Sequence, residues 1–122
     1  MKRKLLLLLL LANFSIYAQY TAIPDINFEK KLIALGIDSG ATDGQVLTSK
    51  IYNLTYLSIE NSSITDLTGI EAFVSLESLY CTKNSLTSIN LSQNTKLINL
   101  NVQIIITKLI YLDCQEEFII CT

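Results

Sequence analysis

The feature that most constrains this chain of 122 residues is an internal repeat of 21 to 22 positions. A coil of this length cannot bury its own apolar side chains, so successive coils have to stack on one another. The period therefore predicts a solenoid of about three repeats, at 54–75, 76–96 and 97–117. The recurring apolar positions are Leu54, Leu57 and Ile59, then Leu76, Leu79 and Cys81, then Leu97, Leu100 and Val102.

Each repeat follows the template LxxLxLxxNxL, which is clearest between Leu76 and Leu86. Leu79 and Cys81 lie two positions apart, so a β-strand directs both side chains into the core. Asn84 follows at the turn, where its amide can hydrogen-bond backbone groups that stacking would otherwise leave buried and unpaired. Strands of successive coils are then expected to form a small parallel β-sheet.

A different pattern precedes the repeats, and it predicts an N-terminal helical cap and connector over 19–53. An acidic residue is placed to cap a helix, apolar residues recur on one helical face, and a glycine suits the helix end. Such a helix would cover the apolar layer that the end of a solenoid exposes. The residues concerned are Asp25, then Phe28, Leu32 and Leu35, and finally Gly36.

Residues 1–18 are predicted to be a signal peptide. A basic start precedes unbroken leucine from Leu5 to Leu11, and the small residue Ala18 marks the expected cleavage site. A membrane span needs about 20 apolar residues, and Asn13 and Ser15 interrupt this segment. We therefore expect export to the periplasm, the cell surface or the exterior, with no membrane association after cleavage.

Charge and residue types exclude several functions. Removal of residues 1–18 leaves six basic and eleven acidic residues, a net charge of −5, which would repel nucleic acid. The chain has no His, which removes His-dependent catalytic dyads and His-ligated metals. Asp38 and Asp43 miss the spacing of a calcium loop and are expected in an ordinary turn. We therefore predict no catalysis, no cofactor and no metal site.

The three cysteines are too few and too widely spaced for a disulfide scaffold. Cys81 occupies the inward column with Ile59 and Val102, so we expect a buried small hydrophobe and not a nucleophile. A disulfide between Cys114 and Cys121 is left open, because nothing in the sequence fixes their geometry.

On these motifs, residues 54–103 resemble the leucine-rich repeats of internalin-like proteins, which are exported by bacteria. The resemblance implies an α/β solenoid, that is, a short leucine-rich repeat array with a small parallel β-sheet and an N-terminal helical cap. Because such repeats are scaffolds for diverse ligands, it implies no particular activity. The segments that carry it are the linking half Ile64–Phe73, the residues Leu79–Cys81, Asn84, Ile89–Leu91 and Asn94, and the lead-in Ile23–Asp38.

The side chains between the inward positions of each strand are predicted to form columns on the concave face. This face is polar, contains two tyrosines and has no Lys or Arg, which suits recognition of a protein or a cell-surface glycan. An ordinary solvated sheet surface is the alternative interpretation. The predicted columns are Tyr56, Ser78 and Asn99, then Ser58, Tyr80 and Asn101, then Glu60, Thr82 and Gln103.

The repeat pattern weakens towards the C-terminus. Ile104–Ile106 stand where the third repeat should carry its turn asparagine, and 118–122 is an apolar stub of a further repeat. A stack that ends in this way has an open edge that favours self-association. The main prediction is an exported, non-enzymatic binding module. The alternative is a truncated or frame-disrupted fragment of a longer leucine-rich repeat surface protein, without independent activity.

Overall fold

The computed structural model describes residues 18–105. The predicted signal peptide (except Ala18), the remainder of the third repeat, Cys114, Cys121 and the 118–122 stub therefore lie outside the described residues. The elements in chain order are β1 (Tyr20–Ala22), α1 (Ile26–Ala34), β2 (Gln45–Leu47), α2 (Thr48–Ile51), β3 (Tyr56–Ser58), a 3₁₀ turn (Ile70–Ala72), β4 (Ser78–Leu86) and β5 (Asn99–Ile104).

The strands β3, β4 and β5 form a three-stranded parallel sheet in that order. Leu57 pairs with Leu79, and Leu79 pairs with Leu100, so neighbouring strands are offset by one repeat. The same offset continues beyond β3, where the Ile59 N–H donates to the Tyr80 carbonyl at 2.8 Å. The predicted stacking of successive coils is therefore confirmed in register for the described residues.

The core lies between the sheet and the linking halves of the coils. Leu79, Cys81 and Leu86 of β4 are fully buried, and Ile64, Ile70 and Phe73 approach them from the linking side of the first repeat. Burial of such side chains contributes about 25 cal/mol per Å² of apolar surface removed from water. The stack is therefore stabilised mainly by contacts between repeats.

Asn84 satisfies the backbone groups that stacking buries between the first two coils. Its Nδ2 donates to the carbonyls of Ile59 at 2.8 Å and Cys81 at 3.1 Å. Its Oδ1 accepts from the backbone N–H groups of Ser62 at 3.0 Å and Ile64 at 3.1 Å. The amide thus joins consecutive coils from within the core, as the sequence predicts.

Asn94, which is also buried, lies in the linking half of the second repeat and pairs only carbonyl groups of the first repeat. Its Nδ2 donates to the carbonyls of Ile70 at 2.8 Å and Phe73 at 3.1 Å. Its Oδ1 is buried and accepts no hydrogen bond from any residue between 18 and 105. A buried unpaired oxygen costs free energy, so Asn94 stabilises the stack less than Asn84 does.

The N-terminal segment is fixed to the repeats by one carboxylate. Asp25 Oδ1 caps α1 by accepting from the backbone N–H groups of Asn27 and Phe28. Its Oδ2 accepts from the Thr65 N–H at 2.9 Å, the Thr65 hydroxyl at 3.0 Å and the Asp66 N–H at 3.0 Å. Partial burial raises the pKa of Asp25, but the hydrogen bonds from Thr65, Phe28 and Asp66 outweigh it and hold the pKa below 3.8.

Aromatic packing and a close backbone approach add to this attachment. The rings of Phe28 and Phe73 are stacked with centroids 6.2 Å apart. Gly69 has φ +106°, and a Cβ atom there would lie 2.6 Å from the Ala22 carbonyl oxygen and would overlap the Ile23 side chain. Only glycine allows this approach, because any Cβ would displace the backbone that follows β1.

The lead-in departs from the sequence prediction in two respects. Leu35 was expected on the buried face of the helix, but it follows the last helical residue and its side chain is 45% exposed. Glu29 is fully buried instead, and its carboxylate accepts from the backbone N–H groups of Asp43 and Gly44. The antiparallel pair of β1 and β2 was not predicted, since three-residue strands are too short to show a period of two.

The asymmetry between the two buried asparagines is testable. Asn84→Leu should lower the free energy of unfolding by about 3–5 kcal/mol, because it leaves buried donors and acceptors unpaired. Asn94→Leu, the matched control, should cost about 1–2 kcal/mol, because it also removes an unpaired oxygen. Urea denaturation of both variants measures the difference, and equal losses would contradict the assigned role of Asn84.

The Asp25 carboxylate should make the stability depend on pH. Asn also caps helices, so Asp25→Asn keeps the cap but places an amide N–H₂ opposite the donors of Thr65 and Asp66, at a cost of about 1–3 kcal/mol near pH 7. A lowered folded-state pKa stabilises the fold above the unfolded-state pKa, and this contribution disappears as the pH falls through the folded-state pKa.

Urea midpoints at pH 7 and at about pH 2 measure this dependence. The difference between the wild type and Asp25→Asn should shrink markedly at the lower pH. Asp43→Asn is the control, because the exposed Asp43 carboxylate accepts, within the described part of the chain, only from the Gln45 N–H two positions on, and Asn supports the same turn. A difference that does not change with pH would contradict this interpretation.

Candidate functional site

The outward side chains of β3, β4 and β5, together with the residues that continue them, form what we call the strand-face grid. Its three rows are Tyr56, Ser78 and Asn99; Ser58, Tyr80 and Asn101; and Glu60, Thr82 and Gln103. Along each strand, successive side chains point alternately to the core and to the surface. Because neighbouring strands pair with an offset of one repeat, the outward side chains of equivalent positions lie side by side and form rows.

The first two rows lie in strict register. Tyr56 pairs with Ser78, and Ser78 with Asn99. In the second row, Tyr80 pairs with both neighbours, Ser58 and Asn101. Tyr80 thus stands at the centre of the grid, and all the members of these two rows are exposed or half-buried.

The two tyrosines contact each other across the rows. Their ring centroids are 5.6 Å apart and the rings are tilted by 44°. Tyr56 is 59% exposed, whereas Tyr80 is half-buried among its neighbours. Asn99 Nδ2 donates to Ser78 Oγ at 3.2 Å at the far side of the first row. The result is an aromatic surface bordered by hydroxyl and amide groups.

The third row is held by a different set of contacts. The Thr82 hydroxyl donates to Glu60 Oε1. Pairing between β4 and β5 is interrupted after Cys81 and Val102 and resumes at Leu86 and Ile104. The structure therefore brings Glu60 and Thr82 together, whereas Gln103 falls within the interruption.

The interruption has a local cause in β4. Lys83 adopts φ +56°, the left-handed region, immediately before the turn asparagine Asn84. Asn61 adopts the same conformation, φ +50°, at the equivalent position one repeat earlier. Residues 82–85 of β4 therefore stand opposite Gln103 alone on β5, and this irregularity of the ladder takes the third row out of strict register.

Cys81 lies directly behind the grid. Its side chain is fully buried between the columns of β3 and β5, and Sγ lies 3.5 Å from the Asn101 carbonyl oxygen. Burial and the nearby Glu60 carboxylate raise the pKa of the thiol to about 12. Cys81 therefore acts as a small core side chain in the described part of the chain, as predicted.

Two surface clefts lie away from the grid. One, of about 460 Å³, separates the linking halves of the first two repeats and is lined by polar residues that include Asp66, Glu71 and Asn90. The other, of about 680 Å³, adjoins α2 and is lined by Tyr52, Val74 and their neighbours. Neither cleft was predicted, because only the folded coils bring these segments together.

Acidic residues of these regions serve local turns. Asp66 Oδ1 accepts from the N–H and hydroxyl of Thr68, and Glu71 Oε2 accepts from the Gly69 N–H at 2.9 Å. Within residues 18–105, no group of three His, Cys, Asp or Glu side chains is placed to hold a metal ion. Over the same range, none of the helices combines the length and the apolar character needed to cross a bilayer.

Two curated proteins are similar to this chain, and both are internalin J. Internalin J of Listeria monocytogenes serotype 4b (strain F2365) is 43% identical over 72 residues, which are 59% of this chain and 8% of internalin J. Internalin J of a second strain, of serovar 1/2a, shows the same identity and coverage. The chain thus spans only 8% of the length of these curated relatives. No family model matches the chain.

Solved structures agree with this result. The functional domain of InlJ from Listeria monocytogenes, described as including a cysteine ladder, matches with a TM-score of 0.59 and 37% identity over 74% of this chain and 21% of that one. The structure of the CBM51-2 domain in complex with GlcNAc and of the INT domains, from Clostridium perfringens ZmpB, matches with a TM-score of 0.60 and 30% identity over 70% and 18%.

The stacked coils, the parallel sheet and the asparagines between coils are those of a leucine-rich repeat protein. The curated proteins to which this chain is similar are internalins, at 43% identity over 72 residues, and the functional domain of InlJ shares the leucine-rich repeat fold of this chain. The inward column of its described repeats contains one cysteine, Cys81, between Ile59 and Val102.

The environment of Cys81 predicts an unreactive thiol. With a pKa of about 12, only about one molecule in 10⁴ carries the thiolate at pH 8. Iodoacetamide at pH 8 should leave Cys81 unmodified in the folded protein and modify it fully in 6 M guanidinium, about the strength that unfolds even very stable proteins. Peptide mapping distinguishes Cys81 from the other two cysteines. Rapid labelling of the native protein would contradict the buried position.

Proposed function

We propose that this chain is a non-enzymatic binding module of an exported protein, and that the strand-face grid is its contact surface. The observation that carries the proposal is the contact between Tyr56 and Tyr80, whose rings lie 5.6 Å apart on the side of the sheet that faces away from the core. Tyrosine gives a large contact area at a small loss of conformational entropy, and it is frequent at binding hot spots.

Export is part of the proposal and rests on the predicted signal peptide, with cleavage after Ala18. We further propose that residues 19–53 are the N-terminal cap of about three repeats. The three hydrogen bonds that Asp25 accepts from Thr65 and Asp66 and the stacking of Phe28 on Phe73 support this role, since they attach α1 to the first coil. A cap of this kind shields the apolar layer at the start of a solenoid.

A protein is the partner that the grid favours, and a cell-surface glycan is the alternative. Two tyrosines among hydroxyl and amide side chains are the composition of many protein-binding surfaces. The ZmpB structure contains GlcNAc in complex with its CBM51-2 domain, so glycans belong among the ligands to be tested. Nucleic acid is disfavoured by the acidic charge of the chain.

Capture from cell-surface extracts and a glycan array test the proposal with the mature chain. Tyr56→Ala combined with Tyr80→Ala should reduce specific capture at least tenfold, because removal of two hot-spot tyrosines costs about 2–4 kcal/mol. Tyr52→Ala is the matched control, since Tyr52 is 45% exposed but lies outside the grid. Urea denaturation confirms that each variant is folded.

Equal capture by the grid variant and the wild type would refute the assignment of the surface. Absence of specific capture by the wild type would favour the alternative hypothesis of a truncated or frame-disrupted fragment. By the repeat spacing of the sequence, Ile105 falls where a turn asparagine like Asn84 is expected, and this departure from the template motivates that hypothesis. The genomic DNA downstream tests it directly, since a frame-disrupted gene would retain repeat-coding sequence in another frame.

Self-association through the C-terminal edge of the array also stays a prediction. β5 is the last strand that the structure describes, and residues 106–122, which follow it, lie outside the described part. Sedimentation velocity over a range of concentrations distinguishes a monomer from an associating chain.

A further inference from the structure

We propose that the strand-face grid binds its protein partner through an arginine side chain, which lies on the ring of Tyr80, beside Tyr56, and donates to the carboxylate of Glu60. This inference rests on the proposed function, because it takes the same surface as the contact site. It adds the chemistry of the group that the surface recognises.

The charge of the grid is the first argument. Glu60 is the single charged side chain among the nine grid residues, and the grid contains no Lys or Arg. Residues 18–105 as a whole carry eight acidic and five basic side chains. In interfaces with complementary charge, a cation of the partner lies opposite a lone carboxylate. This pairing accelerates the association of the two proteins and fixes the register in which they bind.

The position of Glu60 is the second argument. The hydroxyl of Thr82, from the neighbouring strand, donates to Oε1 and thereby fixes the orientation of the carboxylate. Oε2 accepts no hydrogen bond from the described residues, so it remains available to an N–H donor of the partner. A carboxylate that is oriented before binding loses less conformational entropy when the complex forms.

The aromatic pair is the third argument. Glu60 lies in the segment that continues β3 alongside β4, as a diagonal neighbour of Tyr80. A strand spacing of roughly 4.8 Å and a rise of roughly 3.3 Å per residue place their backbones about 8 Å apart. An arginine is long enough for its guanidinium to cover the Tyr80 ring and reach this carboxylate. Its planar group stacks on aromatic rings and donates in a fixed fork, which the ammonium of lysine cannot do.

The remaining grid residues suit the backbone of the same partner. Ser58 and Asn101 flank Tyr80 in its row, and both provide neutral donors and acceptors. A neutral glycan would use these groups and the tyrosine rings but would leave the charge of Glu60 without a counterpart. The lone carboxylate therefore favours a basic protein segment over a neutral sugar.

The experiment uses two small probes of nearly the same shape. N-acetylarginine amide carries the guanidinium, and N-acetylcitrulline amide replaces it with a neutral urea. Amide NMR spectra of the mature chain, recorded during titration, should show millimolar binding of the arginine probe, with the largest shifts at Tyr80, Thr82 and Asn101. The citrulline probe should bind about tenfold more weakly, because it lacks the charge-assisted hydrogen bond.

Variants assign this preference to Glu60. Glu60→Gln keeps the shape and an acceptor for Thr82 but removes the charge, so it should make the two probes equal. Glu77→Gln, an exposed carboxylate outside the grid, should preserve the preference. Equal binding of both probes to the wild type, a preference that survives in Glu60→Gln, or shifts only with N-acetylglucosamine would each overturn the proposal.

The outcomes separate this inference from the proposed function. If Tyr56→Ala with Tyr80→Ala abolishes capture from extracts while the arginine probe shows no preference, the binding module stands and the arginine subsite is wrong. If the arginine preference is present and depends on Glu60 while extracts yield no specific capture, the subsite stands and the proposed function fails.

Discussion

The structure depends on the pairing of backbone groups that stacking removes from water. When one coil lies on the next, the turn after each strand buries N–H and C=O groups that the sheet cannot satisfy. Asn84 resolves this between the first two coils by donating to carbonyls and accepting from N–H groups of Ser62 and Ile64. With that turn fixed, the strands keep their offset of one repeat, and the register of the sheet follows.

The same requirement explains the N-terminal segment. The linking half of the first coil presents N–H groups at Thr65 and Asp66, and the Asp25 carboxylate accepts from both while it caps α1. Gly69 allows the chain after β1 to approach the coil closely, and Phe28 packs on Phe73. One acidic side chain thus links local helix formation to the docking of the helix on the first repeat.

The fixed register of the sheet also determines the proposed contact surface. Because the register is fixed from the core side, every outward position of β3 to β5 is fixed as well, and side chains far apart in sequence become neighbours. Tyr56 and Tyr80, 24 positions apart, share an aromatic surface in this way. Glu60 lies beside it with its orientation fixed by Thr82. Rigid placement of a few such groups is what the proposed contact surface requires.

The sequence by itself determined the coil stack, the pairing of Leu57, Leu79 and Leu100, the cap at Asp25 and the role of Asn84. Each of these follows from a local rule: a period of two, a repeat length, or a turn residue next to buried backbone. The outward positions of the first two rows of the grid also follow from the period, since alternation fixes the face of each side chain.

Only the tertiary structure decided which of these positions interact. The burial of Glu29, the exposure of Leu35 and the unpaired oxygen of Asn94 depend on neighbours that are distant in sequence. The contact of the two tyrosines, the bond between Thr82 and Glu60 and the interruption at Gln103 depend on how neighbouring strands are placed against β4. The physical reason is that periodicity specifies the face on which a side chain lies, whereas contacts and hydrogen bonds require the distances between faces, which are set only when the coils pack.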